Sequence, residues 1–102
     1  MIPLKYTFMK TIFILLATLF IVFTAQSQTA AEFCKSADAK FNAENFSGAI
    51  TDYSSAIKAD PKYTEAYIWR ADSYYRLDKN SEAVTDYTTA ISLDPEYGFL
   101  YN

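Results

Sequence analysis

From residue 30 onward, apolar side chains recur every three or four positions and polar ones fill the gaps. Phe33, Ala37 and Phe41 form one such series; Ala49, Tyr53, Ala56 and Ile57 form the next; Tyr67, Ala71 and Tyr74, then Ala83, Tyr87, Ala90 and Ile91, complete the set. This is the period of an α-helix with one buried face. It predicts helices over roughly 30–43, 46–59, 64–77 and 81–93. The interruptions agree with the pattern. Glu44 and Asn45 break the first helix, and the Asn45 side-chain oxygen is suited to cap the second. Pro61 closes the second helix by pushing its predecessor out of the helical region. Asp78, Lys79 and Asn80 turn the chain again, and Pro95 ends the fourth helix.

The pattern is stated twice. AITDY at 49–53 and DPKY at 60–63 return as AVTDY at 83–87 and DPEY at 94–97, with a constant displacement throughout. Aligned without a gap, 30–63 and 64–97 share 12 identities in 34, nine of them within 49–63. A fixed period of about 34 residues marks a repeat architecture in which each unit buries its apolar face only against its neighbours. Alanine is the informative residue type. Antiparallel helices joined by a short turn approach closely only where side chains are small, and Ala37, Ala49, Ala56, Ala71, Ala83 and Ala90 fall at such crossings. Phe33, Tyr53, Tyr67 and Tyr87 are placed to fill the space between layers.

Residues 1–27 follow another rule. Lys5 and Lys10 precede an uninterrupted apolar and threonine run over 11–24, which closes on Ala25, Gln26 and Ser27. A basic segment, an apolar stretch and small residues at the −3 and −1 positions make a secretory signal peptide, with cleavage before Gln28. Met9 is an alternative start, making 1–8 an upstream extension. The alternative to cleavage is a retained membrane anchor, although a spanning helix needs roughly 20 apolar residues and this run is shorter. Cys34 lies too far beyond the run, with Ala31 three positions before it, to serve for lipidation.

Composition removes several functions. From Gln28 on there are seven Lys and Arg against twelve Asp and Glu, a net charge of −5, with the cations scattered singly. Such a chain offers no electrostatic footprint for nucleic acid. It has no histidine, and Cys34 is its only cysteine, so no nucleophile–base pair, zinc cluster or internal disulfide can be assembled. No enzyme, cofactor or metal is expected. Cys34 itself is either a small buried filler or, in an exported protein, an unpaired thiol able to link two chains or bind a redox partner. Asn45, Phe46 and Ser47 have the form of a glycosylation site, a match short enough to arise by chance.

With these residues placed, the chain resembles the tetratricopeptide repeat family, whose unit is a helix-turn-helix of about 34 residues with aromatics at positions 4 and 24, small residues at 8, 20 and 27 and proline at 32. The first unit has Phe33, Ala37, Ala49, Tyr53, Ala56 and Pro61 at those places; the second has Tyr67, Ala71, Ala83, Tyr87, Ala90 and Pro95, with Tyr74 at position 11. Two positions depart from the pattern: Lys40 stands at position 11 of the first unit and Asn80 at position 17 of the second, each in place of an aromatic and each expected to weaken a packing contact.

The resemblance implies an all-α fold of antiparallel helix-turn-helix units stacked as a short α-solenoid. Residues 30–63 and 64–97 would form two full units, and 98–102 the stub of a third, with Tyr101 at its position 4. Two units and a stub are fewer than the three an array normally needs. The expectation is a truncated reading frame or a fragment of a longer array, only marginally stable as a monomer.

Function follows from the same resemblance. In the family, positions 2, 5, 9 and 12 of the first helix of each unit line a concave groove for an extended peptide or a partner helix. Here these are Ala31, Cys34, Asp38 and Phe41, then Glu65, Ile68, Asp72 and Tyr75, with Trp69 and Arg76 flanking them. Trp, Tyr and Arg are common interface hot spots. The plainer alternative is that Phe41, Trp69 and Tyr75 pack against the next unit. Asp38 and Asp72 would repel a carboxylate ligand and favour a basic peptide, unless they are merely solvated charges. The implied function is a non-catalytic protein-interaction scaffold or adaptor, exported to the periplasm, the cell surface or beyond. The alternative is an assembly piece that self-associates through its uncapped end.

Overall fold

The computed structural model describes residues 28–100, together with Thr11. The signal peptide expected over 1–27, Thr11 apart, and residues 101 and 102 lie outside the described residues. From residue 28 on, the described residues form five helices in order: α1 (Ala30–Asn42), α2 (Phe46–Ala59), α3 (Thr64–Arg76), α4 (Asn80–Leu93) and α5 (Glu96–Leu100). No strand occurs among the described residues. The fold is all-α, with each helix packed against its neighbour in sequence: α1 on α2, α2 on α3, α3 on α4 and α5 on α4, while α3 also touches α1. The first four helices lie within a residue of the limits the sequence predicts; Asn80, expected in the turn, opens α4.

The turns repeat as faithfully as the helices. Glu44 and Asp78, equivalent positions of the two units, both adopt left-handed backbone, with φ of 61° and 59°. Each permits the same helix-ending pair of bonds. Glu44 N donates to Phe41 O and Asn45 N to Lys40 O, at 2.9 and 2.8 Å; Asp78 N donates to Tyr75 O and Lys79 N to Tyr74 O, at 3.0 and 2.9 Å. These bonds satisfy carbonyls that a helix C-terminus leaves unpaired. After α2 and α4 the Asp-Pro step acts identically: Asp60 Oδ1 accepts from Lys62 N and Asp94 Oδ1 from Glu96 N. Each short Asx turn redirects the chain into the next helix.

The starts of the helices differ. Thr29 Oγ1 accepts from Glu32 N at 3.3 Å to cap α1, and Asn45 Oδ1 accepts from Gly48 N at 3.0 Å to cap α2. A Cβ at residue 48 would lie 2.6 Å from the Asn45 amide nitrogen, so glycine leaves room for that cap. α4 opens at Lys79 with no side-chain cap.

The alanines hold the crossings. Ala37, Ala49, Ala56 and Ala71 are fully buried, and Ala83 and Ala90 nearly so. Tyr53 is the largest fully buried side chain, in a cluster with Ala30, Cys34 and Ala66, while Phe33, Phe41, Ile57 and Tyr63 pack around it. Tyr67 and Tyr87 are half-buried. Lys40 does more than thin the packing. Its Nζ lies 2.8 Å from Asp52 Oδ2, the oxygen that also accepts from Ser36 Oγ at 2.7 Å. In the second hairpin the same aspartate, Asp86, is met from a different position. Arg70 donates to both its oxygens at 2.7 Å and extends Nη1 to Ser54 Oγ of α2 at 3.1 Å. One aspartate per hairpin is therefore neutralised in both, by a lysine at position 11 in the first and an arginine at position 7 in the second.

Candidate functional site

The ten residues expected to line or flank a groove do not form one surface. Cys34 and Ile68 are buried, 7% and 4% exposed, and stand apart from the exposed side chains of the expected groove. Cys34 sits in the first core cluster, where burial, with Asp38 and Glu65 nearby, pushes its thiol up to about 11. A buried thiol held protonated is a packing residue rather than a reactive one. Glu65 is exposed on the first turn of α3, and Ala31 lines a separate recess with Gln28, Asp60 and Tyr63. Tyr75 projects from α3, 63% exposed.

Asp38 and Asp72 are not bare carboxylates. Each accepts the phenol of the tyrosine fifteen residues further on, Tyr53 and Tyr87 respectively. The bond ties the two helices of each hairpin together. Burial first, and then the Asp38 carboxylate, push the Tyr53 phenol far above its usual range, so it remains a donor. The sequence leaves the two acids as solvated charges or as a lure for a basic peptide; their first task in the fold is to satisfy interior phenols.

Asp38, Phe41, Trp69 and Arg76 do come together. Asp38, Phe41, Asn42, Tyr53 and Trp69 line a recess of about 240 Å³ where α3 crosses the first hairpin. Phe41 meets Trp69 edge-on with ring centroids 5.6 Å apart, and meets Phe46 edge-on at 5.2 Å. The Arg76 guanidinium lies 5.0 Å over the Phe46 ring and 6.0 Å from Phe41. Edge-to-face pairs and a cation over a ring favour this arrangement beyond the area they bury. Phe41 and Trp69 thus pack between units, as the plainer alternative holds, yet Trp69 remains 41% exposed at the rim. Phe46, which contacts Phe41 and Arg76, and Asn42 and Tyr53, which line the recess, lie outside the family's groove positions. Phe46 carried the one available signal, an aromatic at position 17 of the unit, the place Asn80 leaves polar in the second unit.

A second recess, about 330 Å³, lies at the other end of the stack, lined by Ile68, Tyr87, Ala90, Ile91 and Tyr97. Among the described residues no cluster of Cys, Asp or Glu is close enough to hold a metal ion.

Stacked helical hairpins, a constant repeat period and small residues at every crossing define a class of helical repeat protein built to present side chains on a rigid surface. Comparison with protein families makes this specific: a TPR repeat model matches residues 37–78, and a tetratricopeptide repeat model matches 64–97. The chain belongs to the tetratricopeptide repeat family. Repeats of this family generally mediate protein–protein interaction and are typically non-catalytic. A search of curated proteins finds no match.

Proposed function

We propose that the protein is a non-catalytic adaptor that docks a peptide or helix of a protein partner across the first helices of its two units. The observation that carries this reading is the aromatic recess between the units. Phe41 and Trp69 provide rings above the buried Tyr53, Asp38 and Asn42 provide polar atoms, and a volume of about 240 Å³ suits one side chain of a bound segment. Ligand clefts for whole small molecules run from roughly 300 to 1,000 Å³, and a recess below that range serves as a specificity pocket along a longer contact. Exposed Trp69 and Tyr75 are the anchors, since rigid aromatics contribute large contact area at low entropic cost.

The protein acts after export. The reading is supported by Lys5 and Lys10, the apolar run and the small residues Ala25 and Ser27. N-terminal sequencing of the mature chain checks it: a first residue of Gln28 is expected, and an intact N-terminus in the membrane fraction would show an anchor instead. Docking is tested by replacing Trp69 and Tyr75 with alanine and recovering partners from an exported-fraction extract. Loss of specific partners is expected, and unchanged recovery removes the groove.

A further inference from the structure

We propose that the recess between the units is a cation pocket: the segment docked across α1 and α3, the reading on which this assignment rests, places a lysine or arginine side chain in it. The lining joins two aromatic rings, Phe41 and Trp69, to the exposed carboxylate of Asp38 and the amide of Asn42. Ring faces attract a cation, tryptophan most strongly, and a carboxylate beside them supplies the counter-charge. A long basic side chain meets both demands, because its alkyl stem lies against rings while its charged head reaches the carboxylate.

The ion pairs of the fold leave Asp38 its charge. In each hairpin the aspartate of the second helix is neutralised from within, Asp52 by Lys40 and Asp86 by Arg70. Asp38, on a first helix, pairs with no cation among the described residues; it accepts from the Tyr53 phenol, a neutral donor. An ionised carboxylate accepts at about four lone-pair sites, so that bond leaves room for an ammonium or guanidinium. Neighbouring acids add to the attraction. After burial and Asp38, the Asp72 carboxylate also pushes the Tyr53 phenol up, and after burial, Asp38 and then Glu65 push up the Cys34 thiol. Arg76 is the cation at the rim, and it is committed to the Phe46 ring at 5.0 Å, which shows that the aromatic cluster already holds one guanidinium.

Other side chains fit less well. An acidic one would meet the like charge of Asp38. A neutral apolar one would fill the space between the rings but take water from the carboxylate without giving a hydrogen bond in return. A lysine or arginine meets neither penalty.

Trp69 is the only tryptophan of the chain, so its fluorescence reports on the recess directly. The probes are the N-acetyl methylamides of lysine, arginine, norleucine and glutamate, titrated against the full chain at constant ionic strength. A saturable response is expected for lysine and arginine, with norleucine and glutamate at least tenfold weaker. Asp38→Asn, whose side-chain oxygen can still accept from Tyr53, should weaken lysine binding at least tenfold and leave norleucine unchanged; Phe41→Leu should weaken it several-fold. An unchanged helical melt confirms that neither variant has unfolded, and the lysine–norleucine contrast needs no variant at all. Norleucine binding as tight as lysine, lysine binding indifferent to Asp38→Asn, or no saturable response overturns the proposal. If that happens while partner recovery still depends on Trp69 and Tyr75, the docking reading stands and the cation pocket falls. Lysine binding lost in Asp38→Asn, with partner recovery indifferent to Trp69 and Tyr75, keeps the pocket and overturns the docked segment instead.

Discussion

Tyr53 and Tyr87 hold the same position in two hairpins of nearly the same design, and each gives its phenol to an aspartate fifteen residues earlier. Tyr53 is fully buried; Tyr87 is half-buried. The residues around them are alike, so the difference comes from what lies beyond. Among the described residues, α3 packs on both helices of the first hairpin, while α5 packs on α4 of the second. The same holds on the aromatic side. Phe41 and Phe46 are covered by Trp69 and Arg76 of the next unit, whereas Tyr75, the counterpart of Phe41, stands in solvent and Asn80 replaces Phe46. In a stacked repeat the environment of a residue depends on its neighbour unit as much as on its own.

This contrast is open to direct test. The largest expected effect is Tyr53→Ala, which removes a buried ring and leaves Asp38 without its donor. It should cost about 3–5 kcal/mol in urea unfolding, as buried aromatic truncations do, and Tyr87→Ala should cost about half as much. Equal costs would break the comparison.

Next is the cation in each hairpin. Arg70 and Asp86 are 19% and 5% exposed, so Arg70→Ala strands a nearly buried carboxylate and should cost about 2–3 kcal/mol. Lys40 is 41% exposed, and Lys40→Ala should cost less than about 1 kcal/mol.

Smaller changes concern the turns and caps. Glu44→Gly and Asp78→Gly relieve left-handed backbone and should each stabilise by about 0.5–1 kcal/mol, measured as a shift in urea midpoint. Lys79→Ser would place serine three residues before Glu82, completing a capping box on α4, with a gain of roughly 0.5–1 kcal/mol. That substitution should narrow the gap between the capped first hairpin and the second.

The smallest effect is a pH dependence in the first hairpin. Burial pushes the Asp52 carboxyl up, but hydrogen bonds from Lys40 and Ser36 and the Lys40 charge outweigh it and hold the pKa below the ordinary aspartate value. The stabilisation is present above about pH 4 and is lost as pH falls through the lower folded value. Acid titration of the melting temperature should show a less steep decline over that window in the Lys40→Ala variant.

The sequence alone determined the period, the four main helices to within a residue, their closing prolines and the alanine crossings. It could do so because these features are local: helical period, cap chemistry and the proline constraint act within one turn or one hairpin. The tertiary structure decided that Cys34 and Ile68 are interior, since their burial comes from a helix of another segment and leaves no mark on their own. It decided that Asp38 and Asp72 hold phenols, because whether a carboxylate meets a tyrosine on the next helix depends on how the hairpin closes. It decided as well that Lys40 and Arg70, at different positions, neutralise the same aspartate of the repeat. Above all, it separated the fully buried Tyr53 from the half-buried Tyr87, a distinction that two copies of one pattern cannot carry because it lies in the next layer of the stack.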